Sequence, residues 1–295
     1  MPKISVIIPS LNSQVIDQTL TSLRRQTVGL DDVEILVVGR DEPGRVQTDG
    51  VVRFIDTREP VSPACARNLG LRAASGQFLL FTDSDCVVSE DWFERMLREL
   101  AVPGTAVVGG GVQFPMRGYW SLCDDIAYFH EFVAQAPAGT RTQLPTLNLG
   151  VRREVVDKIG YFNERYPHPG GEDADWTMRM SAAGYRLVFV PSITVMHLHN
   201  RVSLSALVQH GRRFGYYSTK VDPRYWDELE PPFFLRSFVA FLLFAPFLAV
   251  GATLRILFKP YLWRYWYMAP GILLAKLCWC WGALRKLWAI RTGTI

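Results

Sequence analysis

Residues 4–8 are an unbroken run of Ile, Ser and Val closed by Pro9, and residues 15–26 then place Val15, Ile16, Leu20 and Leu23 at helical spacing. The first pattern predicts a buried strand and the second an amphipathic helix. Apolar runs at residues 33–38, 51–55 and 78–81 predict further buried strands, and residues 63–75 predict a helix closed by Gly76. Ser89 is the expected N-cap of a helix through Leu100. Residues 119–133 are aromatic-rich and read as a helix or lid; 173–183 read as a helix ended by Gly184, followed by strands at 186–190 and 193–198. Short units that alternate strand and helix predict a parallel sheet covered on both faces, whose ligands bind at the carboxyl ends of the strands.

Beyond Pro231 the pattern changes. Residues 237–254 form an 18-residue run without a charge, and residues 265–284 form a second apolar run broken by Lys276. From Pro231 onward there are eight Lys or Arg and no acidic residue, which leaves 24 basic against all 28 acidic residues in the body, a net −4. The chain thus divides into an acidic body, 1–230, and a basic, tryptophan-rich tail, 231–295. A tail dominated by Leu, Phe and Ala speaks against nucleic acid and for membrane. Were both runs to span, one of the basic clusters flanking them would have to cross, against the positive-inside tendency. We therefore expect a helical hairpin that enters or lies along one leaflet, kinked by Pro246 and Pro270, with a two-span anchor as the next alternative and a buried, soluble helical subdomain as the last. No secretory leader is visible in Met1-Pro2-Lys3 and the short run after it, so the body is expected at the cytoplasmic face of the membrane. Five cysteines without a Cys-x-x-Cys pair speak against a disulfide framework and a structural zinc site.

The candidate chemistry lies in two acidic clusters. Asp83-Ser84-Asp85 follows the strand at 78–81, and if strand geometry continues past Thr82 both carboxylates leave the same face. Two such oxygens suit Mg2+ or Mn2+, which commonly sit between carboxylates and a substrate's phosphates. A plain turn is the competing explanation, since Asp and Ser bond their own backbone. The second cluster is Gly170-Gly171-Glu172-Asp173-Ala174-Asp175-Trp176. Acidic residues in a first helical turn stabilise the helix dipole without any catalytic purpose, yet the glycine pair points to close backbone approach by a substrate. Arg67 has the fork that fits phosphate oxygens, and it would equally suit a solvated helix. His197 and His199 are two apart on a predicted strand, so they form either a polar face or part of a metal's ligand set.

Taken in order, the strand ending at Pro9, Arg67-Asn68-Leu69-Gly70, Asp83-Ser84-Asp85, Gly171-Glu172-Asp173 with Trp176, and His197-Leu198-His199 resemble the inverting family 2 glycosyltransferases. The similarity runs over roughly residues 3–220. It implies a GT-A α/β fold with a mixed, mainly parallel sheet, and metal-dependent transfer of one sugar from a nucleotide-sugar donor. By the resemblance Asp85 is the nearer metal ligand and Asp83 lies closer to the sugar, while Pro9, Asn12, Asp41 and Arg67 are donor-side. His197 and His199 are further metal candidates, Asp173 is the general base, and Glu172 and Trp176 are acceptor-side. Two departures stand out. Many relatives carry an acidic residue after the second strand where this chain reads Val38-Gly39-Arg40-Asp41, with Asp41 the nearest substitute. No Gln-x-x-Arg-Trp follows the second cluster, which favours single transfer over processive synthesis. With the tail, a lipid-linked sugar or glycan is the expected acceptor. A catalytically idle, membrane-bound scaffold is the alternative, and a nucleotidyltransferase lacks the glycine-rich phosphate loop it needs.

Overall fold

The computed structural model describes residues 3–115 and 117–294; Met1 and Pro2, on which the reading of the N-terminus rested, and Ile295 at the end of the tail lie outside them. Along the chain come β1 (Ile4–Leu11), α1 (Ile16–Arg24), β2 (Val33–Arg40), β3 (Val52–Asp56), α2 (Pro63–Ala73), β4 (Phe78–Thr82), β5 (Cys86–Val88) and α3 (Trp92–Leu100). They are followed by β6 (Val107–Gln113), α4 (Tyr119–Phe129), β7 (Gly139–Arg141), β8 (Asn148–Arg152), α5 (Arg153–Ile159), α6 (Glu172–Ala182) and β9 (Leu187–His197). The rest is helical: α7 (Leu204–Tyr216), α8 (Trp226–Leu229), α9 (Phe233–Arg236), α10 (Phe238–Leu257) and α11 (Ala269–Thr292).

These elements form two compact units, and their division differs from the expected boundary at residue 230. One unit comprises Met1–Pro115 with Phe132–His199, the other Met116–Glu131 with Asn200–Ile295. The tail is therefore part of a larger helical unit that also takes α4 and α7.

The first unit is built on a nine-stranded sheet in the order β3-β2-β1-β4-β8-β6-β9-β5, with β7 on β9. β1, β2, β3, β4, β6 and β9 run one way and β5, β7 and β8 the other, so the sheet is mixed and mainly parallel, as expected. The apolar run at the start of β1 is buried throughout, which is why it lacks the alternation of a half-solvated strand. Several local expectations are corrected. α3 starts at Trp92 after Asp91; Ser89 instead gives its N–H to Thr194 O, which fixes it beside β9. α2 ends at Ala73, and Gly76 donates to Ser5 Oγ at 2.8 Å. The two strands expected after residue 186 are one strand, β9, with a register shift against β6 between Gly110 and Gly111. Asn148 fills that irregularity. Its Nδ2 donates to Gly111 O at 3.0 Å and Ile193 O at 2.9 Å, and its Oδ1 accepts from Trp92 Nε1 at 2.9 Å, so a wholly buried amide is satisfied on both sides.

In the helical unit, buried Asp124 on α4 accepts from Arg201 Nε at 2.8 Å and meets His210 Nδ1 of α7 at 2.7 Å. Tyr128 of the same helix donates to Ala275 O of α11. α10 and α11 pack through small residues, Ala245 and Ala249 against Cys280 and Ala283. α10 runs from Phe238 to Leu257 with Pro246 inside it, whereas Pro270 does not interrupt a helix: it stands in the first turn of α11, where its missing N–H has no partner to lose. Where α7 meets α11 the backbones touch. A Cβ added to Gly215 would lie 1.9 Å from Trp279 O, and one added to Gly282 would lie 2.0 Å from Arg212 O.

That contact predicts an asymmetry between two glycines. Gly215→Ala should cost about 1–3 kcal/mol, because backbone must move to admit the methyl. Gly251→Ala, on α10 with nothing within 4 Å of the added carbon, should be neutral or gain up to about 1 kcal/mol from helix propensity. Thermal unfolding of the detergent-solubilised full chain separates the two, and a Gly215→Ala protein that melts with the wild type contradicts the packing.

Candidate active site

The donor-side candidates gather at the carboxyl ends of neighbouring parallel strands. Half-buried Pro9 is paired with Val38 near the end of β1, and Asn12 follows with a positive φ of 53°, its Oδ1 accepting from Glu42 N at 2.9 Å. This ties the loop after β1 to the loop after β2. Asp41 there folds its own loop: its oxygens accept from Arg45 N at 3.0 Å and Val46 N at 2.7 Å. The third loop follows β4 and holds the first acidic cluster.

That cluster is a turn and not a continued strand. β4 ends at Thr82, and Cys86 N donates to Asp83 O at 3.1 Å, closing a four-residue turn. The two carboxylates consequently part company. Asp83 meets Arg67 Nη2 at 2.8 Å, while Asp85 Oδ1 lies 3.6 Å from His197 Nε2. The turn is pinned from two sides, by Ser13 Oγ on Ser84 O at 2.9 Å and by Leu198 N on Asp85 O at 2.7 Å. His197 pairs with Cys86 across β5 and β9, and its ring contacts that of His199, centroid to centroid, at 4.9 Å.

The donor chemistry here fits a divalent cation. A carboxylate oxygen and an imidazole nitrogen 3.6 Å apart are too distant for a hydrogen bond, yet one ion bonded at about 2.1 Å to each can span them. The Cys86 thiol also lies within 4.8 Å of both atoms. Burial, with Asp85 and Asp83 beside it, pushes that thiol well above its ordinary range, and hard cations prefer oxygen. Asp85 and His197 are accordingly the residues suited to such an ion.

Arg67 links the two acidic clusters. Ser62 caps α2 by accepting from Cys65 N, and the helix carries Arg67 inward until its side chain is only 4% exposed. Nη2 meets Asp83 and Nη1 meets Glu172 Oε1 at 2.9 Å, and Glu172 itself is 5% exposed. Sequence reading offered this guanidinium to a diphosphate or to solvent; its fork is engaged by two carboxylates instead. Burial alone would lower its pKa, but Asp83, Glu172 and Asp173 outweigh that and raise it. Glu172 also accepts from Gly170 N at 2.7 Å, which closes the loop ahead of α6. Gly170 and Gly171 there have φ of 117° and 100°, conformations that favour glycine.

Asp173 is the half-buried acidic residue of this first helical turn, between buried Glu172 and Asp175. Desolvation, with the charge of neighbouring Glu172 added, pushes its carboxyl up to about 7, against the opposing pull of Arg67. A carboxylate so placed is poised to take a proton near neutral pH. Trp176 is wholly buried, stacked 4.0 Å from Phe162 and edge-on to Phe81, with its indole N–H on Gly160 O. It anchors α6 instead of presenting a surface. Asn68, which drew no functional reading, supports the same corner: Nδ2 donates to Phe162 O at 3.0 Å and Oδ1 accepts from Phe162 N at 2.8 Å. No local signal marks it, because its partner is 94 residues away.

Removing Arg67 and Glu172 together should cost less than the two single changes added together. Arg67→Met leaves Glu172 charged and unpaired and should cost about 3–5 kcal/mol. Arg67→Met with Glu172→Gln should be markedly more stable than the sum of the single changes implies, and strict additivity in a double-mutant cycle of thermal stabilities would contradict the coupling.

Comparison with known proteins gives this arrangement its context. Residues 5–160 match the model of glycosyl transferase family 2. Glycosyltransferase AglE of Haloferax volcanii is 30% identical over 208 residues, 67% of this chain and 67% of that one. The pre-mycofactocin glycosyltransferase of Mycobacterium tuberculosis is 25% identical over 240 residues, 77% of this chain, and the match spans 49% of its length. Among solved structures, a mannosyltransferase from Pyrobaculum calidifontis in complex with GDP-Man and Mn2+ superposes with a TM-score of 0.59 at 20% identity, covering 97% of this chain and 87% of that one. Its likeness shows the GT-A fold. The chain is a glycosyltransferase belonging to glycosyl transferase family 2.

Proposed function

We propose that this chain transfers a single sugar, with inversion, from a nucleotide-sugar to a membrane-linked acceptor, a lipid-linked sugar or glycan, in a reaction that depends on Mn2+ or Mg2+. The observation that carries the reading is the pairing of Asp173, raised to about 7, with a donor-side turn to which Arg67 ties its helix. The mannosyltransferase complexed with GDP-Man and Mn2+ supports both the donor class and the cation.

In this reading the loops after β1, β2 and β4, with Pro9, Asn12, Asp41 and Asp83, receive the nucleotide-sugar. Asp85 and His197 would hold the cation, with His199 beside them; such an ion supplies Lewis-acid neutralisation of the departing diphosphate. Asp173 accepts the proton of the acceptor hydroxyl as that oxygen attacks the anomeric carbon from the face opposite the leaving group. Arg67 serves as a positioning residue: it pairs with Glu172 and Asp83 and so holds the start of α6 against the donor turn. Glu172, closed onto Gly170, shapes the acceptor side, and Trp176 supports it from the core.

Membrane association is the second part of the proposal. Phe238–Leu257 and Trp263–Thr292 are long and apolar enough to cross a membrane, by length and composition. Leu243, Phe247, Phe258, Trp263 and Trp266 are each at least 66% exposed, a larger apolar display than a soluble surface usually tolerates. Basic residues follow the tryptophans, so we place this helical unit on one leaflet with the catalytic unit facing the cytoplasm.

Release of nucleoside diphosphate, measured over a panel of donors with Mn2+ or Mg2+ and membrane extract, tests the chemistry. Asp173→Asn and Asp85→Ala should each lower turnover by roughly a hundredfold or more. In the wild type the acidic limb of kcat/KM should fall near pH 7, because the base works only when ionised. Wild-type turnover in both variants sinks the assignment. Flotation of the full chain with liposomes tests the location: it should float, and Leu243→Ser with Phe247→Ser should reduce the floated fraction by about tenfold. A wild-type chain that stays at the bottom of the gradient contradicts membrane association.

A further inference from the structure

The helical unit holds a group of guanidinium side chains that are not among the candidate-site residues described above. On α7, Gln209, Arg212, Arg213 and Tyr216 recur at helical spacing, and with Arg285 and Gly282 of α11 they line an open groove of about 400 Å3, Arg212 and Arg285 being exposed. At Gly282 the two helices meet backbone to backbone.

Among the described residues the ion pairs of this unit join side chains that do not line the groove. Elsewhere in the unit Asp124 pairs with Arg201 and His210, Asp222 with Arg224 and Lys286, and Glu131 with Lys259. Among the described residues no carboxylate lies within ion-pair distance of Arg212, Arg213 or Arg285. Three like charges around one space repel, and an anion seated among them reverses the sign of the interaction. Guanidinium forks match the oxygens of a phosphate, and the neutral donors of Gln209 and Tyr216 complete a polar rim.

A second observation says what carries that phosphate. Trp281 and Trp288 lie four residues before and three after Arg285 on α11, on the same helical face, and are 58% and 51% exposed. Tryptophans flanking an arginine on an otherwise apolar helix are the pattern of a segment at headgroup level.

We propose that α7 and α11 form a binding site for the phosphate of a membrane lipid, with Arg212, Arg213 and Arg285 as its cationic contacts. The site belongs to the helical unit, and its ligand is recognised whether or not it is the acceptor of the transfer.

Equilibrium binding of the full chain, held in a non-ionic detergent, to micelles doped with phosphatidylglycerol, a polyprenyl phosphate or phosphatidylcholine tests this. The wild type should bind one or both of the first two about tenfold or more tighter than phosphatidylcholine. Preference for the polyprenyl phosphate names an isoprenoid lipid as ligand, and preference for phosphatidylglycerol names bulk anionic lipid. Arg212→Gln with Arg285→Gln should abolish the preference, while Arg255→Gln with Arg264→Gln, which removes the same charge outside the groove, should keep it. Equal loss in both double variants means a diffuse field and overturns the site. So does displacement by inorganic pyrophosphate as effective as that by lipid, which makes the ligand a free anion. Unchanged thermal melting of each variant guards against misfolding.

Discussion

One buried cation organises the catalytic unit. Arg67 sits almost out of reach of water, and an unpaired guanidinium there would be prohibitive. It is tolerated because Asp83 and Glu172 meet it on both sides, and each of those carboxylates belongs to a different motif. The donor-side turn and the start of α6 are thereby fixed to one point. The same arrangement bears on Asp173: desolvation, with the charge of Glu172 added, raises its carboxyl, and Arg67 pulls the other way. Structure and reactivity draw on one ion triad, so neither can change independently of the other.

The sheet explains why these groups can converge. β2, β1 and β4 run parallel as neighbours, so their following loops open at one edge and bring Asn12, Asp41 and Asp83 together. β9 runs the same way as β4 and meets the far end of the turn through its short antiparallel pairing with β5. The helical unit follows a different logic, in which small residues permit close helix contact and the large apolar side chains point outward.

What the amino-acid order revealed, and what it hid, follows from distance along the chain. Strands β1, β2 and β4 were legible because a buried strand is a local pattern, and both acidic clusters were legible as short motifs. Arg67 was visible as a residue but not as a bridge, because its partner Glu172 lies 105 residues on. Strand and turn stayed open at Asp83 because short-range sequence does not decide between them, and the hydrogen bond of Cys86 N on Asp83 O makes it a turn. Likewise α4 could not be assigned to the helical unit from sequence, since the segment is flanked by strands of the other unit. Pro270 was misjudged for a simpler reason: a proline that begins a helix and one that bends it look alike until the boundary is known.

Asn148 has a consequence that reaches beyond its hydrogen bonds. The irregularity it fills skips three residues of β9, since Gly110 pairs with Val190 and Gly111 with Thr194. Three is odd, and successive side chains of a strand alternate between faces. The excursion therefore exchanges faces between β9 and β6 downstream, and with this parity His197 instead of Met196 comes beside Asp85. Such a constraint is digital where most packing is elastic. Gaining one residue in the excursion would not shift the imidazole by a fraction of an ångström; it would turn the thioether of Met196 toward the carboxylate in its place, and losing one would bring Leu198 there.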